Sequence, residues 1–221
     1  MAATEGGLSA PDHDPLTILE NVTMFVFKPE IELVEAITII DLKNKFRIFD
    51  EMGRLLLLAV EESTANGPNR NFTMHVTDYN SEEILTLERP FSFSNPCYIS
   101  CSCFDVCRQQ IETFSLGQKV GSVRVQWTLF RSKFIVYTVE EEPRYDIIAQ
   151  RRACSKKEVF TVYLHNTKQT IGEIRKKYLA HETITDDDAF GLTVDANIPH
   201  RDKALLISAV FLIHVLFFSD E

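Results

Sequence analysis

An acidic stretch late in the chain has the length and part of the pattern of a calcium-binding loop. Residues 186–197 read Asp-Asp-Asp-Ala-Phe-Gly-Leu-Thr-Val-Asp-Ala-Asn, twelve residues in all. An EF-hand loop also has twelve residues, supplies oxygen ligands from positions 1, 3, 5, 7, 9 and 12, and needs glycine at position 6. Asp186 and Asp188 would supply the first two oxygens, and Gly191 occupies the turn position. These residues predict a Ca²⁺ site.

Two other positions of the same stretch weaken that site. Phe190 offers no side-chain oxygen at the fifth position, and Asn197 stands where an EF-hand has an acidic twelfth ligand. Any Ca²⁺ affinity is therefore expected to be weak, with a dissociation constant at or beyond roughly 10⁻⁴–10⁻³ M. The competing interpretation is an acidic turn that leads into a strand, Phe190–Val194.

A second group with chemical potential is a cluster of four cysteines within eleven residues: Cys97, Cys101, Cys103 and Cys107. Their spacing lacks the CxxC pairs of ordinary zinc sites. Three interpretations stay open: acylation, which would tether the protein to a membrane, ordinary cysteines, and a soft-metal or iron–sulfur site. With Cys154 the total is five, and an odd number fits a reducing compartment better than a disulfide framework.

The rest of the sequence offers no catalytic motif. The six histidines form no HExxH spacing, and the chain has no GxSxG elbow, P-loop or GxGxxG. We therefore predict that the protein is not an enzyme. His214 lies in an apolar segment and is interpreted as a hydrogen-bonded core histidine. The net charge of -9 argues against nucleic acid as a partner, because such binding needs a basic surface.

The elements that must position these residues are mostly hairpins. Four times a short alternating segment is followed by a polar turn of Asp, Asn, Gly, Glu or Pro and a second apolar segment, which is typical of paired antiparallel strands. The pairs are 46–49 with 55–60, 72–76 with 84–87, 133–139 with 147–148, and 160–164 with 171–174. Repeated hairpins over this length predict a β-barrel or β-sandwich.

The segment 204–218 breaks the hairpin pattern, because it is apolar on every side except at Ser208 and His214. A helix of this kind is either a core helix or a membrane span. It would be roughly 22 Å long, against a hydrocarbon layer of about 30 Å, so its length favours a buried core helix over a short span.

We expect one folded domain, 16–221, after a short disordered tail, 1–15. Within it, helical segments are expected at Leu16–Asn21 and, with ambiguous periodicity, at Pro29–Glu35. The N-terminus shows no basic and apolar signal-peptide pattern, which places the protein in the cytosol or on the cytosolic face of a membrane.

Segments throughout the chain resemble the phospholipid scramblase family. The resembling segments are 31–35, 44–48, 52–54, 59–62, 84–90, 107–112, 120–121, 126–127, 133–134, 186–191, 203–204, 211–213 and 217–218. The resemblance implies a tubby-like fold, in which a closed antiparallel β-barrel of about twelve strands surrounds the hydrophobic C-terminal helix. It also implies that cysteines of the cluster are palmitoylated; Cys103 and Cys107 match the family best, and Cys97 and Cys101 follow an insertion after Pro90.

The function implied by the resemblance is calcium-stimulated, ATP-independent movement of phospholipids between leaflets, at the cytoplasmic face of the plasma membrane. Membrane phospholipids are then the partners, and oligomerisation would be needed for one short helix to build a lipid pathway. Partners that bind PPxY motifs are not expected, because the Pro-rich tail of other members is absent. The alternative is a membrane-tethered lipid-binding or regulatory module without transport activity, which the incomplete calcium loop favours.

Overall fold

Alternating burial of side chains governs most of the described chain. In the strand Phe72–Asp78, residues Phe72, Met74 and Val76 are buried and the side chains between them are partly exposed. Since successive strand residues point to opposite faces, this pattern builds a sheet with one apolar face. The computed structural model describes residues 14–30, 42–62, 70–91, 109–127, 132–150, 159–176 and 189–217.

Twelve antiparallel strands close into one barrel. Each strand pairs with the next along the chain, and β1 pairs with β12. The bounds are β1 Met24–Glu30, β2 Leu42–Phe49, β3 Leu55–Glu62, β4 Phe72–Asp78, β5 Glu83–Arg89, β6 Gln110–Ser115, β7 Gln118–Trp127, β8 Ser132–Thr138, β9 Pro143–Gln150, β10 Val159–Leu164, β11 Thr170–Lys176 and β12 Phe190–Val194. The predicted barrel and all four predicted hairpins are confirmed.

The meander gives the barrel two different ends. The connections β2–β3, β4–β5, β6–β7, β8–β9, β10–β11 and β12–α1 lie at one end, which we call the turn end. The residues that flank the other connections lie at the opposite end, the loop end. No connection at the turn end exceeds five residues.

Acidic side chains shape two of these turns. Asp50 accepts hydrogen bonds from the backbone N–H groups of Met52 and Arg54, both at 2.9 Å, and Gly53 adopts a left-handed φ of 74°. Asp78 repeats the arrangement in the β4–β5 turn, where Ser81 has φ 66°. An Asp that accepts N–H groups of its own turn fixes both the turn and the register of the hairpin.

The helix α1, His200–Phe217, fills the barrel. Its side chains are buried nearly all round. Phe211 packs edge-to-face on Phe27 and Phe46, at 5.6 Å and 5.3 Å between ring centroids. On another wall, a Cβ at Gly121 would overlap the Tyr137 carbonyl oxygen and lie 3.0 Å from a methyl carbon of Leu205. The helix therefore acts as the core around which the sheet closes.

The structure extends the predicted helix and corrects two smaller predictions. α1 begins four residues before the predicted start at 204 and is described as far as Phe217, whereas the predicted last residue, Phe218, lies outside the described residues. The predicted helix Leu16–Asn21 is a 3-10 helix, Pro15–Leu19, capped by Asp14. In Pro29–Glu35, Pro29 and Glu30 belong to β1, where they pair with β2, and the remainder lies outside the described residues. Among the described helices, none combines the length and the apolar character needed to cross a bilayer.

Candidate functional site

Of the four residues predicted to bind calcium, the structure describes Phe190 and Asn197. Asp186 and Asp188 lie outside the described residues. Phe190 begins β12, where its backbone pairs with β1 and β11, and its side chain is buried. Its ring packs against that of His214, with 4.8 Å between centroids. Phe190 therefore belongs to the barrel core and offers no ligand from its side chain.

Asn197 lies at the turn end, in the β12–α1 connection. Its backbone N–H and its Nδ2 both donate to Oδ1 of Asp195, at 3.1 Å and 3.2 Å. The extended strand β12 separates it from Ala189 at the loop end by roughly 17 Å or more. The structure thus does not bring Phe190 and Asn197 together around one ion. Within the described ranges, no group of three or more His, Cys, Asp or Glu side chains could hold a metal.

The predicted lipidation residues Cys97, Cys101, Cys103 and Cys107 all lie outside the described residues. The described residues on either side, Phe91 and Gln109, are at the loop end of the barrel. Phe91 is 53% exposed.

A buried polar cluster at the loop end was not predicted from the sequence. Arg70 forms a bidentate ion pair with Glu61, at 2.7 Å and 3.0 Å, and Asn44 donates to the same carboxylate at 2.5 Å. Arg89 donates to the backbone oxygen of Arg70 at 2.8 Å and to Oε1 of Gln109 at 2.5 Å. Its residues lie on β2, β3 and β5 and directly before β4 and β6.

Electrostatics in this cluster follow from its burial. Desolvation and the nearby Arg70 lower the pKa of Arg89 to about 10, although Glu61 opposes the shift. Arg89 therefore stays charged at neutral pH. The guanidinium groups of Arg70 and Arg89 lie over the ring of Phe72, each 5.8 Å from its centroid. Cation–π attraction of this kind is stronger in a desolvated site. The sequence does carry a signal for the cluster, because Glu61 and Arg89 are in phase with the inward-facing residues of their strands.

A cleft of about 570 Å³ opens next to this cluster, on the β3–β6 side of the loop end. It combines apolar surface from Phe72, Pro90 and Phe91 with the carboxylates of Glu62 and Glu88. Such a lining would accept an amphiphilic molecule with a cationic group better than a free anion. Arg89, at the buried edge of the cleft, is the exception to its acidic character.

The predicted core histidine lies between two aromatic rings. His214 is 5.1 Å from Phe46 and 4.8 Å from Phe190, both edge-on. Burial lowers its pKa to about 4; Glu61 opposes this shift, whereas Arg70 and Lys176 lower the pKa further. The imidazole is therefore neutral at neutral pH and packs in the core, as predicted, while the expected hydrogen bond stays a prediction.

The other end of α1 is held by charged groups. Lys203 is fully buried and donates to the backbone oxygens of Leu19 and Glu20, at 3.2 Å and 2.5 Å. Tyr145 donates to Asp202 at 2.5 Å, and burial together with that carboxylate raises the pKa of the phenol. These bonds fix the helix inside the barrel, so its interior is occupied by protein.

Comparison with known proteins identifies the family. A family model for the scramblase domain matches residues 4–220. The chain belongs to the scramblase family. This confirms the resemblance, and the matched residues include both the barrel and α1.

Several curated relatives support the same assignment to the scramblase family. The chain is 30% identical to human phospholipid scramblase 1 over all of its own length and 70% of the relative. It is 32% identical to bovine phospholipid scramblase 2, over 92% of this chain and 71% of the relative. It is 30% identical to human phospholipid scramblase family member 5, over 93% of this chain and 78% of the relative. A solved structure of an Arabidopsis thaliana protein has a TM-score of 0.48 and 12% identity, over 90% of this chain and 98% of that one.

Proposed function

We propose that this protein moves phospholipids between the leaflets of a membrane, in both directions, with stimulation by Ca²⁺ and without ATP. The observation that carries the proposal is the match to the scramblase family along nearly the whole chain, together with relatives named phospholipid scramblases. The proposed location is the cytoplasmic face of the plasma membrane. The proposed Ca²⁺ site uses Asp186 and Asp188, with weak affinity.

The filled barrel limits how lipid could move. Phe211 and its neighbours occupy the interior, so a headgroup would not pass through the described barrel. Movement would instead follow the outer surface or an interface between copies. The same observation favours the second candidate function, a membrane-tethered lipid-binding or regulatory module.

Reconstitution into liposomes separates the two functions. Purified protein in vesicles with a fluorescent phospholipid should equalise the two leaflets on addition of Ca²⁺, read as the fraction of probe open to a membrane-impermeant quencher. Asp186→Ala removes a carboxylate from the first ligand position and should abolish the stimulation. The matched control is Asp187→Ala, which removes the same charge from a position that does not bind the ion in an EF-hand loop.

The reconstitution has two informative failures. Equal rates in vesicles with and without protein would exclude transport and leave the binding module. Equal loss of stimulation in Asp186→Ala and Asp187→Ala would mean that net charge, and not a ligand position, is responsible.

Membrane residence should depend on the cysteine cluster. Changing Cys97, Cys101, Cys103 and Cys107 together to Ser should move the protein expressed in cells into the soluble fraction, because one acyl chain anchors only marginally and two or more are needed for stable binding. Cys154→Ser is the control and should stay with the membranes. Retention of the fourfold variant at high salt and alkaline pH would contradict acylation as the anchor.

A further inference from the structure

Exposed apolar side chains concentrate at the turn end of the barrel. Of the seven large apolar side chains that are exposed in the described chain, five lie there. They are Met52, Leu55, Tyr79, Leu116 and Val139. Tyr79, Leu116 and Val139 come from three successive hairpins, β4–β5, β6–β7 and β8–β9, whose turns are two strands apart, or roughly 10 Å. We call these three side chains the apolar arc.

The turn that carries Leu116 is a poor fit for leucine. Leu116 and Gly117 are the two central residues of the β6–β7 hairpin, and both have a left-handed φ, 49° and 73°. A two-residue turn of this kind favours Asn, Asp or Gly at its first position, and leucine is sterically disfavoured there. The side chain is also 63% exposed. Neither the turn nor the solvent favours an apolar residue at this position, and such an outlier points to a role in binding.

Exposed charges at the turn end are mostly acidic. The described residues there are 14–23, 50–55, 78–83, 115–118, 139–144, 165–170 and 195–202, and seven acidic and four basic side chains are exposed among them. The acidic ones are Glu20, Glu82, Glu83, Glu140, Glu141, Glu142 and Asp195, and the basic ones are Arg54, Arg144, Lys168 and Arg201. Glu82, Glu140 and Glu142 are on the turns that carry Tyr79 and Val139, so these three carboxylates border the apolar arc.

Ion pairs within the protein increase this imbalance. The basic groups Arg54, Arg144 and Arg201 pair with Asp50, Asp202 and Asp14, at 2.7 Å, 3.2 Å and 3.3 Å. Of the acidic groups, Glu83 contacts His75, and Glu141 contacts Lys119 and Arg124. The exposed charges that remain outside these pairs are five carboxylates and Lys168.

All six connections of the turn end are within the described residues. The connections outside them begin and end at the loop end. Residues 1–13 also lie outside the described residues and adjoin the turn end through Asp14. By sequence they contain Glu5 and Asp12 and no Lys or Arg, so their side chains add to the negative charge of this end.

Charge decides what can cover the apolar arc. The surrounding carboxylates would repel an anionic bilayer. A second copy related by twofold symmetry would bring the same acidic surface against this one. The basic connection 151–158 of this chain is held at the loop end on both sides, and half its length, roughly 16 Å, is shorter than β9, roughly 25 Å. The complementary occupant is a segment of another protein in which Lys or Arg side chains surround apolar ones.

We propose that the apolar arc, with Glu82 and Glu140 beside it, is a docking surface for a basic amphipathic segment of another protein. Tyr79, Leu116 and Val139 bury against the apolar face of the partner, and the carboxylates pair with its cations. The arc spans roughly 20 Å, the length of a helix of about 13 residues. Tyr79 is the expected anchor, because tyrosine is enriched among the residues that dominate interfaces. This inference goes beyond the proposed function, since it requires neither lipid movement nor a membrane.

A model peptide measures the docking directly. The probe is a fluorescein-labelled peptide of about 18 residues of Lys and Leu, with Leu at positions i, i+3, i+4 and i+7. Its fluorescence anisotropy should rise on addition of the full-length, non-acylated protein, whereas a matched peptide with Glu in place of Lys should not bind. Leu116→Asn should weaken binding by about fivefold or more. The same variant should melt no earlier than the unchanged protein, because Asn adopts a left-handed φ more readily than Leu.

A charge comparison with the same peptide tests the location. Glu140→Gln with Glu142→Gln removes two carboxylates next to the apolar arc and should weaken binding by about fivefold. Glu20→Gln with Asp195→Asn removes two carboxylates on the opposite side of the turn end, near β1 and β12, and should change binding by less than about twofold. Both double variants change the net charge equally, so a difference between them reports position. Circular dichroism melts verify that both are folded.

Several results would overturn the proposal. Absence of binding by the Lys/Leu peptide, equal binding of the two peptides, unchanged affinity in Leu116→Asn, or equal weakening by the two double variants each contradicts it. A dimer in analytical ultracentrifugation that Leu116→Asn abolishes would assign the arc to a second copy instead. Binding to phosphatidylserine vesicles that the same variant abolishes would assign it to a membrane.

Discussion

A chain that ends at Asp202 should fail to fold cooperatively. Removing the rest of α1 leaves a barrel whose inward-facing side chains, among them Phe27 and Phe46, have no partner on the inside. A domain is stable by only about 5–15 kcal/mol, and loss of a whole core helix exceeds that. The measurement is circular dichroism with thermal melting of the truncated and full chains. A cooperative melt near that of the full chain would contradict the core role of α1.

Single substitutions refine the same prediction. Phe211→Ala should cost about 3–5 kcal/mol, as expected when a large buried aromatic side chain is removed. Phe217→Ala is the matched control in the same helix; its side chain is 37% exposed, so the cost should be clearly smaller. Urea denaturation gives both free energies of unfolding. Equal costs would indicate that α1 is not inserted in the observed register.

Stability should also fall between about pH 6.5 and pH 4. The pKa of His214 is lowered from 6.5 to about 4 in the folded protein, so the unfolded chain takes up a proton in this range before the folded one does. The linked loss is about 3 kcal/mol by the lower end of the range and is absent above it. The charges facing His214 are Glu61, Arg70 and Lys176, and none of them reverses the direction of the shift. Urea denaturation at several pH values measures the loss.

His214→Phe is the informative variant for this acid effect. Phenylalanine keeps an aromatic ring between Phe46 and Phe190 but cannot ionise, so the loss between pH 6.5 and 4 should largely disappear. Burial raises the pKa values of Asp50 and Asp146, but hydrogen bonds and neighbouring cations outweigh it and hold both below 3.8, so their contribution to stability is lost only at lower pH. An unchanged acid effect in His214→Phe would assign it to other groups.

The hairpins could be predicted because their signals are local. Asp50 and Asp78 stand at turns and accept hydrogen bonds from the backbone N–H groups of those turns. In the strands on either side, apolar residues alternate with polar ones. The start of α1 was missed for the opposite reason. Lys203 is charged and reads as surface, yet its ammonium group is buried against the carbonyls of Leu19 and Glu20, about 180 positions earlier. The residues next to Lys203 in the sequence do not indicate a hydrogen-bond partner so far away in the chain.

The candidate site shows the same limit. Glu61 and Arg89 could have been flagged as charges on inward-facing positions, but their bonds to Arg70 and Gln109 depend on strand register. For the acidic stretch, counting positions suggested an ion-binding loop. Pairing of β12 on both sides makes residues 190–194 an extended strand, with the bounds that the competing interpretation of the sequence predicted.

Closure of the barrel between β1 and β12 has a consequence for the order of events during synthesis. Met24 pairs with Thr193, and α1 follows only after β12. The growing chain can form each hairpin as it appears, but the sheet has no core to close around until the helix is made. Long-range pairing of this kind slows folding and leaves apolar strand faces exposed meanwhile. The nascent protein is therefore expected to depend on chaperones until α1 has left the ribosome.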